Sequence, residues 1–560
     1  MIAGLGLALT LTTCAPPPPT YTVETLVPGS AMHGVHGLAF GADGALYGAS
    51  LIGQSIYRID IETGVVTTEV GPPDGNGDDV AFAPDGTMAW TAALTNSIMA
   101  RTPDGDIKPL ATGIPGVNSI WYTDDGRLFF TTIFAGDALY EADPTGATPP
   151  RQIADGLGGL NGFDITDDDQ LYGPLFFKGK VIKLDLATGE MEDVADGFDV
   201  PAAVNFDSKG NLYVVDFDTG AITQVDVATG AKKKIAQLQA PIDNITVGED
   251  DLLYVSNPAL NAIYQIDPAN GATRLIVAGG LGSPGGINMI DRNGRQDVLV
   301  SDFWGHRMVN SETGAVQMMR AARGVSGSTT ATASDDLIVL TFFWPFAGVV
   351  VLDRRDGSVI ARPGGFKAPY ETEITADGRI LVADYAAGEL VELSGDRYRD
   401  RRVVAAGLGG PVGLALLDDH TIYVSEYDTG VISLISLADG ARKEVWTGLD
   451  RPEGLAVDSA PPPSEDEDGN VIADRLRADE GDAPAKQRYL VVAETGAKRV
   501  MAQHIAGGPP HVVMENLKVD LPGWDAMPAP FVPTGVAVGD DGTIYVATDQ
   551  ENALYKAVRD

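Results

Sequence analysis

A stretch like GPVGLALLDDHTIYVSEYDTGVISLISLADG, residues 410–440, recurs along nearly the whole chain, and no other feature limits the fold as tightly. It breaks into alternating runs, GLAL, TIYVSE and VISLIS, separated by DDH, DTG and ADG, with KEVWTG following as a fourth run. Alternation over a few residues, bounded by Asp and Gly, is the pattern of short antiparallel strands, because Gly supplies turn conformations that other residues resist. One unit is therefore a four-stranded meander. Related units begin near Gly37, Asp79, Ser119, Gly162, Ala203, Asn244, Gly286, Thr329, Glu371, Gly413, Gly454 and Gly535, a spacing of about forty residues. A lone four-stranded sheet cannot bury both faces and must stack on its neighbours, so the units are predicted to be blades of an all-β propeller.

Propeller rings hold about four to eight blades. Twelve units are accordingly expected to form two tandem six-bladed rings, residues 21–268 and 269–560, after a segment 1–20 that lies outside the fold. Ring closure sharpens the boundary. The last copy has three runs and lacks its outer strand, whereas YTVETLV (Tyr21 to Val27) is a spare outer strand before the first copy and TRLIVAGG lies near mid-chain. If YTVETLV completes the sixth blade and TRLIVAGG the twelfth, neither ring has an exposed edge, and the boundary falls near Ala269. The alternative is one large ring in which YTVETLV completes the twelfth blade.

The start, MIAGLGLALTLTTCAPPPPTYTVE, holds an apolar run too short to span a bilayer, then Cys14, the sole cysteine, and four prolines. It resembles a bacterial lipoprotein signal with LTTC as lipobox. That likeness implies export to the periplasm or cell surface, a lipid on Cys14 and a stiff Pro-rich tether. With no second cysteine, no intramolecular disulfide can form. Lys plus Arg number 39 against 78 Asp plus Glu, a net charge of -39, which argues against nucleic acid and leaves membrane contact to the lipid anchor alone.

Two segments depart from the repeat. The acidic, Pro-rich insertion 458–487 interrupts the eleventh copy between its first and second strands and reads as a loop. Its DEDGN is not a calcium loop, because the register places Arg475 where a bidentate Glu is required. The second segment, VDLPGWDAMPAPFVP, puts Trp524 before the first strand of the twelfth copy, a position for a lid.

In a propeller the innermost strands line the axis, and the turns before them form one mouth. In the first ring these turns carry His36, Asp78, Asn118, Asn161, Ala202 and Asp243. Five of the six are polar, and oxygen-rich convergence suits a hard cation such as Ca²⁺.

LNGFDITDDDQLYG at Leu160 and RPEGLAVD at Arg451 are similar to repeats of the NHL and SMP-30/gluconolactonase/LRE six-bladed propellers. Members like gluconolactonase hold one divalent metal through a Glu, an Asn and an Asp from the first, fourth and fifth blades and hydrolyse sugar lactones. By that resemblance Asn161 takes the place of the Asn, while His36 stands where the Glu would be and Ala202 where the Asp would be. GNGDDVAFAPDG, with Asn76 and Asp78, resembles the second-blade segment that helps to bind substrate. The implied site is a metal on His36, Asp78, Asn161 and Asp243, with Asp78 or Asp79 as general base for a bound water attacking a lactone or ester. His33, beside His36 in HGVH, reads as a loop residue.

The second ring carries Gly285, Ser328, Tyr370, Val412, Glu453 and Thr534 at the equivalent turns, a poor metal set. Its second strands instead end in Asp302, Asp384, Glu426, Glu494 and Asp549, with Trp304, His306, Trp344, Phe346, Tyr385 and Tyr427 nearby. This is either an acidic cup for a cationic or sugar-like ligand or a set of acids supporting the next turn. Candidate substrate contacts are thus Asn76, Asn118, Trp304, Trp344, Glu453 and Trp524. No G-x-S-x-G, P-loop, HExxH or CxxC pattern is present. Two classes stay open: a metal-dependent lactone or ester hydrolase, and a non-catalytic lipoprotein scaffold that binds a small ligand or a protein. A lyase like the virginiamycin-inactivating propellers would need seven blades.

Overall fold

The structure is a computed structural model that describes residues 19–292, 294–320, 327–342, 347–458, 464–465, 471–472, 488–523 and 530–560. Cys14, Trp344, Phe346, Trp524 and most of the 458–487 insertion lie outside these residues. Among them stand twelve four-stranded antiparallel sheets and no α-helix. The second strand of a blade is covered on both faces by its neighbours, so Leu212–Asp216 is buried throughout, whereas the outer strand Lys232–Gln237 is largely exposed. Hairpins such as DVATG close through Asp226 Oδ1, which accepts from the Ala228 and Thr229 N–H groups at 3.0 Å. Gly230 follows at φ 72°, a left-handed conformation that a Cβ disfavours.

The blades form two closed rings of six. Blade 1 (Leu38–Val70) packs on blade 6 (Ile245–Ala278), burying Met32, Val35 and Tyr57 with Tyr254, Ile263 and Val277. Blade 7 (Pro284–Arg320) packs on blade 12 (Val536–Arg559) through Ile287, Val298, Val300, Ala537 and Leu554. Among the described residues there is neither a single large ring nor a seven-bladed one.

Ring closure differs from the expectation. Tyr21–Val27 pairs with Ala553–Arg559 in blade 12, and Thr273–Ala278 stays with Ala262–Ile266 in blade 6. The first ring therefore closes by face packing alone. The second is closed by the N-terminal strand, so the first ring is inserted within the second. Exchanging the two outer strands would separate TRLIVA from the hairpin partner just before it, and hairpin pairing costs the least loop entropy. Blade 11 keeps its predicted interruption, since Pro452–Asp458 pairs with Tyr489–Glu494 across the insertion.

The connector after Val27 fastens the rings together. Both Asn261 of blade 6 and Asn552 of blade 12 donate to the Met32 carbonyl, the former at 2.7 Å. His33 bonds the Asp549 carbonyl through Nε2 at 2.8 Å and Tyr57 through Nδ1 at 3.1 Å. Burial lowers its pKa to about 4, which keeps it neutral. Arg307, paired with Asp302 at 2.5 Å, also donates to the carbonyls of Ala259 and Gly280 from the other side.

Candidate functional site

The site is the mouth of the first ring, facing the second. Glycines at the starts of innermost strands let neighbouring blades approach the axis. A Cβ on Gly37 would lie 2.2 Å from Asp79 Oδ1, and one on Gly162 2.5 Å from the Ala203 Cβ. That closeness brings side chains from successive blades into one arc of hydrogen bonds and ion pairs. Asp243 Oδ2 is 2.9 Å from His36 Nδ1, which is 3.6 Å from Asp78 Oδ1. Asn118 Nδ2 donates to Asp78 Oδ2 at 2.6 Å. Ser119 Oγ lies 3.2 Å from Asn118 Oδ1 and 3.0 Å from Asn161 Oδ1. Blades 1, 2, 3, 4 and 6 thus contribute, and blade 5 interrupts the arc with apolar Ala202.

Burial raises the Asp78 carboxyl to about 6, against the opposing pull of His36. Burial also disfavours protonated His36, but the hydrogen bond and charge of Asp243, with the charges of Asp78 and Asp79, outweigh it and raise its pKa. His36 Nε2 and Trp304 Nε1 are buried with no protein partner. Trp304 comes from the second ring, leaving blade 7 just after its second strand, and its ring lies 4.8 Å from the His36 ring.

The expected metal site does not fit this arrangement. Nδ1 of His36 lies between the two carboxylates, where their oxygens would meet a cation, and Asn161 joins the arc only through Ser119. Among the described residues no group of three or more His, Cys, Asp or Glu is placed to hold a metal ion. The imidazole of His36, whose protonation these carboxylates favour, takes that point instead.

Asp79 is not beside Asp78 as a second base. Strand alternation turns it into the channel, where it accepts from the N–H groups of Val80 at 2.9 Å and Ile120 at 3.2 Å. It lines a cavity of about 230 Å³ with Asn205 and Asn244, and burial raises its pKa to about 8. Asn76 donates to the Pro73 carbonyl within its own loop and does not reach the arc.

The second mouth is filled. Tyr370, Val412, Tyr427, Leu521, Phe531 and Val532 pack together there with Ile52 from the first ring. Glu453 is not a ligand contact: it accepts from Thr534 N at 2.6 Å and Thr495 Oγ1 at 2.7 Å. The repeated acids hold loops. Asp302 accepts from Ser283 N at 2.7 Å, Asp384 from Ala368 N at 2.9 Å, Glu426 from Gly409 N at 2.7 Å and Asp549 from Leu521 N at 2.7 Å. The acidic cup is therefore a set of turn supports.

Sequence reasoning missed Ser119 as a link, Phe134 and Phe177 at the rim, and the crossing of Trp304 to the other ring. TTIFAG and PLFFKG do carry a signal, an aromatic residue at the position where the turn of blade 5 has Asp218.

No family model matches the sequence, and no curated protein matches it. Among solved structures, the chain is similar to the nidogen/laminin complex at 18% identity, covering 40% of this chain and 90% of that one, TM-score 0.37. It is similar to a gluconolactonase from Xanthomonas campestris at 17% identity, covering 46% and 89%, TM-score 0.37. A third similarity is to the extracellular domain of a hybrid two component system from B. thetaiotaomicron, at 9% identity, covering 94% and 75%, TM-score 0.32. Likenesses this distant leave activity to the site itself.

Proposed function

We infer that the mouth of the first ring is a cleft that binds a small molecule and that lactone or ester hydrolysis, without a metal ion, is the reaction its groups serve. The observation that supports this reading is His36: Asp243 holds one ring nitrogen while the other, Nε2, is buried and has no protein partner. A protonated His36 donates from Nε2 to a substrate carbonyl oxygen and stabilises the charge that develops there. The Asp78 carboxylate takes the proton of the attacking water, and that proton passes to the alkoxide as the C–O bond breaks. Perturbed titration within a cleft is the usual setting for such groups.

The competing scaffold reading rests on the second mouth, which its own side chains fill. Export through the 1–20 segment, with a lipid on Cys14, belongs to either reading. The test is hydrolysis of γ-lactones and p-nitrophenyl esters by the purified chain in EDTA, with calorimetric binding alongside. Turnover that survives EDTA and falls about 100-fold or more in His36→Gln is expected. Turnover abolished by EDTA would return a metal to the mechanism. Neither turnover nor binding would leave the scaffold as the better account.

A further inference from the structure

Two phenylalanines at the rim of the first mouth face water, Phe134 at 71% exposure and Phe177 at 56%. They stand where blades 3 and 4 leave their second strands, Leu128–Thr132 and Gln170–Leu175, on the side of the mouth that holds Asn118 and Asn161. Neither is isolated. Phe134 meets Phe176 and Phe177 edge to face at 5.8 and 5.7 Å, and Phe176 meets Phe217 at 6.1 Å. Phe176 and Phe217 belong to the buried cluster of Val200, Ala202 and Ile242, against which Trp304 packs. A buried apolar cluster thus connects the exposed pair to Trp304, whose ring lies against His36.

The local backbone is shaped around this pair. Phe134 holds φ 63°, a left-handed conformation that few residues other than glycine adopt. Gly159 at φ 83° leaves the space that Phe177 covers, since a Cβ there would lie 2.6 Å from the Phe177 ring. Exposed aromatic rings on a strained turn are two separate penalties at one place, and such penalties persist where a site uses them. Together the rings expose on the order of 250 Å², far below the roughly 1,000 Å² of a specific protein interface. One flexible chain of a small molecule matches that area.

Resting on the reading of the cleft as a lactone or ester site, we propose that Phe134 and Phe177 bind the aliphatic chain of the substrate. The substrate class is then a lactone or ester bearing an acyl or alkyl chain, its carbonyl at His36 and its tail along the aromatic rim, and not a bare sugar lactone. Each methylene buried on the rings contributes about fourfold in affinity.

The test takes the full chain through the series γ-butyrolactone to γ-octalactone, measuring hydrolysis and calorimetric binding for each. Binding that tightens severalfold per methylene is expected, with that slope flattened in a Phe134→Ser, Phe177→Ser double variant. Because both rings are exposed, unfolding of the variant is not expected, and circular dichroism checks it. A slope that is absent in the native chain, or unchanged in the variant, overturns the aromatic rim while hydrolysis of short lactones would keep the cleft reading. A slope in binding without turnover would keep the rim and remove the reaction. No binding of any member overturns both.

Discussion

At the turns before the innermost strands, the first ring presents His36, Asp78, Asn118, Asn161, Ala202 and Asp243. The second presents Gly285, Ser328, Tyr370, Val412, Glu453 and Thr534. Apart from Ala202, the first set joins, with Ser119, into an arc of hydrogen bonds and ion pairs, leaving His36 Nε2 unpartnered. In the second set Glu453 accepts from the Thr534 N–H and the Thr495 hydroxyl, Tyr370 donates to the Pro530 carbonyl and Ser328 bonds the Ser301 hydroxyl, while aromatic and aliphatic groups fill the rest. One repeat thus gives a mouth able to interact and a mouth that is closed. The difference lies in what occupies the mouth: charged and amide side chains of successive blades in the first, an apolar cluster in the second.

The largest expected effect tests what holds the mouths face to face. Arg307→Ala leaves Asp302 as a buried, unpaired charge and removes bonds to Ala259 and Gly280. A loss of about 3–5 kcal/mol in denaturant unfolding is expected. A change under about 1 kcal/mol would show that the rings do not depend on this contact.

Next comes the contrast between the mouths themselves. Glu453→Ala strands the buried Thr534 N–H in the second, while the Thr495 hydroxyl keeps the Arg451 carbonyl at 2.9 Å, a cost of about 2–3 kcal/mol. Asp243→Ala in the first, where the carboxylate is partly solvated, should cost about 1 kcal/mol while abolishing ligand binding. If Asp243→Ala proved the more destabilising of the two, the division into working and structural mouths would fail.

Titration gives an effect shared by both mouths. Burial raises both Asp79 and Glu453 to about 8. The folded chain therefore binds these protons more tightly than the unfolded chain, whose carboxyls titrate near 4. Their contribution is fully present below the unfolded pKa and is lost as pH rises through the folded one. Thermal unfolding should fall by a few degrees from about pH 5 to about pH 8, with Asp79→Asn and Glu453→Gln each removing part of the slope. A midpoint that rises across this window would contradict it.

The smallest effect has the opposite sign. Phe134→Gly relieves the backbone at φ 63° and should leave stability unchanged or raise it by up to about 1 kcal/mol. A clear loss would mean that the ring is part of the core and not of the rim.

By itself the sequence determined the blades, their number, the position of the acidic insertion and the side chains presented at each mouth. These are local matters: strand alternation, Asp-Gly turns and a fixed period are written within about forty residues. Tertiary structure alone decided that Tyr21–Val27 closes the second ring, a pairing across the whole chain that any exposed strand edge would have allowed. It also decided that Trp304 crosses to His36, that Asp79 turns away from Asp78, and that the repeated acids hold turns. A carboxylate reads the same in sequence whether it meets a backbone N–H or a ligand, and only the packing of blades and rings chooses between them.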